Sequence, residues 1–292
     1  MLPIVLIHKG NSFYLPYSLL QAKHFNPESK VFLIGDQDNQ HYQSFFIEHI
    51  NISEFFGEAR NFEEYYQHKS TNNYYYELFC FQRWFILKEF MYRYNFDFCF
   101  YIDSDLLLFS NLSQEYQSRL KNLDLALSRG QALTGIEKLS GHNSYLTKKA
   151  VNQLCKFLVD FFKEIEKYDL RKDSALNDMT ILKRFSEDKE SDLRMSILSE
   201  VHAGSKYDNN INASEGFKVE DGVKKVLWDK KAPYCIQISP EAKIYFKSLH
   251  FQGGSKKIIK HYYQGNPLLL VYYLFLNFYL RVFRKIKNNL QF

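Results

Sequence analysis

Phe98-Cys99-Phe100-Tyr101-Ile102-Asp103-Ser104-Asp105 sets five apolar residues directly before two carboxylates. A short continuous apolar run predicts a central strand buried on both faces, and the acids then stand at its carboxyl end. The i, i+2 spacing turns both carboxylates to one side if the extended geometry continues. Carboxylates that close repel one another unless a cation lies between them, and a hard divalent ion is the usual remedy. Asp-Ser-Asp is also ordinary turn chemistry, so the strand before it is what gives the pair weight.

Working outward, residues 4–7 and 31–34 are further apolar runs, and 13–24 between them supports a helix. That β-α-β unit predicts a parallel sheet whose ligands gather at the carboxyl ends of the strands, where His8 to Asn11 and Gly35-Asp36 fall. Helices are expected over 74–94, over 147–168 with Thr147 as cap, and over 175–185. Asp221-Gly222 suits a type I′ turn between strands at 217–220 and 223–228. A last strand at 244–246 leads into Leu249-His250-Phe251.

The chain has 292 residues, 46% hydrophobic and 17% aromatic, enough to bury a large core and to exclude disorder. Its four cysteines lack CxxC spacing, which suggests a reducing compartment and no structural zinc site. The apolar start is too short for a signal peptide, and the longest apolar stretch, 268–280, falls short of the roughly 20 residues a spanning helix needs. A cytoplasmic protein is therefore expected. After Glu241 there is no acidic residue, whereas nine of the 38 Lys and Arg lie there, leaving 29 bases against 33 acids before it. The basic charge is local and calls for an anionic partner of the tail, a diphosphate or a lipid surface; no nucleic-acid partner is expected. Without repeats or linkers, the simplest organisation is one domain over 1–257 and a basic, amphipathic helical segment over 258–292. Asn277, Arg281, Arg284, Lys285 and Asn288 share one helical face there, a pattern that fits either a membrane interface or packing on a subunit.

The second chemical element is Leu249-His250-Phe251-Gln252-Gly253-Gly254-Ser255-Lys256. Imidazole can complete a carboxylate metal site, and a glycine loop followed by lysine can neutralise a diphosphate. Ser140 to Tyr145, containing His142, has the polar character of a loop at an acceptor pocket, and Asp208-Asn209-Asn210 that of a turn.

Tyr101 to Leu108 resembles the strand and DxD segment of GT-A glycosyltransferases, and His250, Gly253 and Lys256 are similar to the H-x-x-G-x-x-K motif of the glycogenin and lipopolysaccharide galactosyltransferase group. The resemblance spans roughly residues 1 to 260. It implies a Rossmann-like α/β fold with a mixed, mainly parallel sheet flanked by helices. It implies Asp103, Asp105 and His250 as ligands of manganese or magnesium, and His8, Asp36, Arg83, Ser104, Gly253 and Lys256 as donor contacts. UDP-sugar is the implied donor, and a saccharide or glycolipid the acceptor, as in surface polysaccharide or lipopolysaccharide assembly. Asn177-Asp178-Met179 is similar to the Asp-Gln pair near the reacting sugar, with Met179 departing from it. Asp178 is thus the candidate catalytic carboxylate and, with His142, a candidate acceptor contact. Two other readings stay open: a sugar-phosphate nucleotidyltransferase, although only Gly10 follows the first strand, and a membrane-associated binder without catalysis.

Overall fold

The computed structural model describes residues 2–130, 137–168, 176–188 and 190–289, with backbone alone for 281 and 284–289. In chain order the first half comprises β1 (Ile4–His8), α1 (Leu15–Phe25), β2 (Val31–Gly35), β3 (Glu48–Asn51), α2 (Gly57–Glu63) and α3 (Tyr74–Arg93). There follow β4 (Phe98–Ile102), β5 (Leu106–Leu108), α4 (Leu112–Glu115), β6 (Leu125–Gly130), β7 (Lys138–Thr147), α5 (Lys148–Lys163) and α6 (Asp178–Ser186). The last part holds β8 (Met195–Ile197), β9 (Ser205–Tyr207), β10 (Val219–Glu220), β11 (Val223–Lys224), β12 (Leu227–Asp229), β13 (Ala232–Gln237), β14 (Ala242–His250) and α7 (Pro267–Asn289).

A seven-stranded sheet runs β3-β2-β1-β4-β7-β6-β8. Strands β3, β2, β1 and β4 are mutually parallel; β7 is antiparallel to both β4 and β6. Period-two alternation explains why the early strands read as unbroken apolar runs. In β1, Val5 and Ile7 point into the cluster beneath α3 and α5, whereas Ile4 and Leu6 join the opposite cluster beneath α1. In β4, Cys99 and Tyr101 take the first side, Phe100 and Ile102 the second. Helix α3 is capped by Asn73, whose side chain accepts from Tyr75 N, and it buries most of its circumference.

A smaller sheet orders β12-β13-β14-β5, with β9 added beside β14. It joins the large sheet through Ser104-Asp105. The extended geometry stops at Ile102, and a turn hands the chain from β4 to β5. Strand β5 then pairs antiparallel with β14, Leu106 opposite His250 and Leu108 opposite Ser248.

Thr147 caps α5 by accepting from Ala150 N, as its position suggests. Asp221 and Gly222 form the tight turn of the β10-β11 hairpin with φ of 51° and 78°. The expected strand over 223–228 is instead two strands in different sheets, β11 and β12. The shorter helix starts at Asp178 behind the Asn177 cap; Ala175, its expected start, lies outside the described residues.

Ser140 to Tyr145 is not a loop. It is the middle of β7, buried between β4 and β6, and its polar groups find partners inside: Ser144 Oγ donates to Gly141 O at 2.8 Å. Gly141 is needed there for space, because a Cβ would come within 2.4 Å of two ring carbons of buried Trp84. Gly141→Ala should therefore cost about 1–3 kcal/mol of stability by overpacking. Urea denaturation measures this, and an unchanged midpoint would show that the interior yields.

Candidate functional site

The carboxyl end of β4 is held by a hydrogen bond from Asp103 N to His142 O at 2.9 Å. Two residues on, Phe251 N donates to Asp105 O at 2.9 Å, which continues the β5-β14 pairing through the turn. This register brings His250 beside the acids across a long stretch of sequence. His250 Nε2 lies 3.5 Å from Asp105 Oδ1, and Lys256 Nζ lies 3.1 Å from Asp105 Oδ2. Ligand atoms of Asp103, Asp105 and His250 all fall within 4.8 Å of one another.

The donor set fits a divalent cation. Two carboxylates supply hard oxygen ligands and the imidazole a nitrogen. His250 Nδ1 donates to Asn209 O at 2.6 Å, so the other ring nitrogen is the one aimed at Asp105. Metal-binding imidazoles are oriented by just such a bond on the far nitrogen. Burial disfavours a charged His250, but Asp105 outweighs it and raises the imidazole above its ordinary range. Burial likewise opposes charge on Asp105, yet His250 and Lys256 hold its carboxyl well below the carboxylate range. A metal would take the place of that imidazole proton, since the ligand must be neutral to bind.

Arg83 reaches the same place from α3 and is 7% exposed. Its Nη1 donates to Asp103 Oδ1 at 2.9 Å and its Nη2 to Asp178 Oδ2 at 2.7 Å. Glu77, earlier on the same helix, accepts from Asp178 N at 2.8 Å. Asn177, not Asp178, caps α6 by accepting from Thr180 N, which leaves the Asp178 carboxylate to Arg83. Burial pushes Asp178 up to about 6, with Arg83 opposing and Glu77 adding to the rise. A carboxyl that titrates near neutrality inside a cluster of charges is a common mark of a functional site.

At the ends of β1 and β2, Ser104 Oγ lies 2.9 Å from His8 Nδ1, and burial lowers the His8 imidazole to about 4. Asp36 Oδ2 accepts from Gly10 N at 2.7 Å, closing the loop after β1. Gly253 has φ of 64°, a conformation that favours glycine, and opens the short 3₁₀ helix Gly253–His261 that carries Lys256. Of the residues singled out from sequence, Arg83, Asp103 and Asp178 form one set of charge contacts and Asp105, His250 and Lys256 another, and the two sets adjoin where Asp103, Asp105 and His250 converge. His8, Ser104 and Asp36 sit at the β1-β2 edge.

His142 is placed differently from the expected loop position. It is 1% exposed, and its ring stacks on His250 at 4.1 Å and 12°. Its Nε2 donates to Asp208 O at 2.9 Å, and burial lowers its imidazole to about 3, so it backs His250 as a neutral ring. The sequence reading missed the segment Asp208-Asn209-Asn210 as part of the site. Asp208 and Lys224 are both fully buried and paired at 2.6 Å, and Asp208 Oδ2 accepts from His250 N at 3.1 Å. Lys224 Nζ also donates to Asn210 O at 2.7 Å. The run of Asp and Asn looked like a solvent turn; only pairing with a lysine from β11 makes its burial possible.

Removing one partner of a buried ion pair leaves the other charge uncompensated. Lys224→Met should accordingly lower stability by about 3–5 kcal/mol in urea denaturation. A loss below about 1 kcal/mol would show that the pair does not hold the strand end that bears His250.

No protein family matches the sequence, and no curated protein does. Solved structures do resemble the fold. The apo WbbM bifunctional glycosyltransferase aligns over 91% of this chain and 50% of its own, at 11% identity and a TM-score of 0.50. Mouse xyloside xylosyltransferase 1, also apo, aligns over 68% of this chain and 85% of its own, at 9% identity and a TM-score of 0.48. The galactosyltransferase LgtC, with donor and acceptor sugar analogs, aligns over 62% and 69%, at 15% identity and a TM-score of 0.40. This chain thus spans half the length of that bifunctional protein. The mainly parallel sheet, the strand end bearing Asp103 and Asp105, and that alignment together give the chain the GT-A glycosyltransferase fold.

Proposed function

We propose that this chain is a metal-dependent glycosyltransferase that moves a sugar from a nucleotide-sugar, a UDP-sugar, to a saccharide acceptor. The observation that carries the reading is the convergence of Asp103, Asp105 and His250 within 4.8 Å, with Lys256 against Asp105. Manganese or magnesium held by these three residues would offset the negative charge that develops on the departing diphosphate.

The chain's own residues supply the rest. Lys256 exchanges its contact with Asp105 for donor phosphate, adding a preset positive charge where the leaving group forms. Its glycine-led turn allows close approach of backbone to ligand. His8, Asp36 and Ser104 line the β1-β2 edge where base and ribose would lie. Arg83 fixes Asp103 and Asp178 at once, so donor and acceptor sides share one guanidinium. In an inverting reaction Asp178 takes the acceptor hydroxyl proton, a task suited to a carboxyl that titrates at about 6; in a retaining one it orients the acceptor. Residues 1–257 form the catalytic unit and 258–292 its basic appendage. Acceptors on a lipid carrier at the inner membrane face, as in surface polysaccharide or lipopolysaccharide synthesis, suit that appendage.

Calorimetry with UDP should show binding that is strengthened by manganese and reduced by a chelator. In Asp105→Ala the manganese-dependent increment should vanish while the fold, followed by circular dichroism, persists. Equal UDP affinity with and without manganese in the unsubstituted protein would reject the metal site. Release of UDP from a UDP-sugar distinguishes an enzyme from a binder.

A further inference from the structure

Among its described side chains, helix α7 turns a polar residue into the domain and an apolar stripe outward. Asn277, expected from sequence to share one polar face with Arg281, Arg284, Lys285 and Asn288, is 4% exposed and points into the domain. Its Nδ2 donates to Tyr42 OH at 2.7 Å, and its Oδ1 accepts from Asn11 Nδ2 at 3.0 Å and from His41 Nε2 at 2.6 Å. Arg281, Arg284, Lys285 and Asn288, the rest of that expected face, lie outside the described side chains. Tyr273 packs inward on Tyr42, with ring centroids 5.2 Å apart.

Among the described side chains of α7, what faces out is apolar. Leu268, Val271, Tyr272, Phe275, Phe278, Tyr279, Val282 and Phe283 are each 41–80% exposed. Their spacing of three and four residues makes one stripe about 22 Å long, with no charged member. Beside it, the segment that carries His41 and Tyr42 ends in Phe45, 96% exposed, and Phe46, 39% exposed. So large an apolar surface is the mark of an interaction site.

We propose that the outer stripe of α7, with Phe45, docks on an anionic lipid surface. Charge selects this occupant. From residue 242 onward the chain has nine Lys and Arg and no Asp or Glu, so two copies joined along this helix would bring like charges together. Anionic headgroups would attract the rest of these residues, Lys243, Lys247 and Lys256 being paired with Asp229, Glu115 and Asp105, by about 1 kcal/mol each. Among the described residues no helix is long and apolar enough to cross a membrane, so the helix would lie in the interface plane. Asn277 then couples the docked helix to Asn11, in the loop after β1, and so fixes how the nucleotide edge is turned toward the surface. The inference goes beyond the catalytic reading and rests on it only for the purpose of docking.

The test is sedimentation with vesicles of phosphatidylcholine mixed with phosphatidylglycerol, against vesicles of phosphatidylcholine alone. The full chain should bind the anionic vesicles preferentially, and raised salt should weaken that binding. Phe275→Glu combined with Phe278→Glu, both exposed, should reduce binding roughly tenfold or more with unchanged circular dichroism. The inference is overturned if the chain ignores anionic vesicles. It is also overturned if light scattering shows a dimer that the same double variant dissociates while vesicle binding persists. UDP and manganese binding, measured without lipid, reports separately on the catalytic reading.

Discussion

The antiparallel pairing of β5 with β14 is the constraint on which the site depends. It sets His250 opposite Leu106, one residue past Asp105, and the bond from Phe251 N to Asp105 O extends the pairing through the turn. Two regions far apart in sequence thereby share one site, with backbone hydrogen bonds fixing their separation. The large sheet supplies the acids and the small sheet the imidazole. Without that register, neither the acidic pair nor the Gly253-to-Lys256 turn would have a partner.

The charges brought together in this way are compensated in two linked sets. Arg83 binds Asp103 and Asp178 on the α3 side, and Lys256 and His250 flank Asp105 on the β14 side. Beneath them Lys224 neutralises Asp208, which holds His250 by its backbone, while Asn209 O and the His142 ring hold its side chain. Buried charges of this density are tolerated because each has a partner at hydrogen-bond distance. In the proposed reaction, a metal in place of Asp105's cationic partners, with Lys256 turned to a diphosphate, would keep that balance.

Much of this was legible in the sequence, for identifiable reasons. Continuous apolar runs marked β1, β2 and β4 because they are buried on both faces, and the acids at the end of β4 stood out by contrast. The Asp221-Gly222 dipeptide marked its hairpin through the positive φ both residues adopt. What escaped were polar residues buried by pairing. Ser140 to Tyr145 carries no apolar periodicity, since its polar side chains bond within the interior and next to Asp208. Lys224 and Asp208 are ordinary surface residues until their pairing is seen. In helix α7 the sequence marked a shared polar face but not its direction, which the bonds of Asn277 to Tyr42, Asn11 and His41 set inward at that residue.

The GT-A fold, shared with the bifunctional glycosyltransferase at a TM-score of 0.50, sets the frame, and the residues at the β4 end set the proposed chemistry. The central claim is that Asp103, Asp105 and His250 hold one divalent cation beside a diphosphate. Its most direct measurement is an anomalous difference map from crystals grown with manganese and UDP. The account predicts a single strong peak between the Asp105 carboxylate and His250 Nε2, with the diphosphate touching Lys256. A nucleotide bound in the cleft with no peak there, or with the metal held by other side chains, would contradict it.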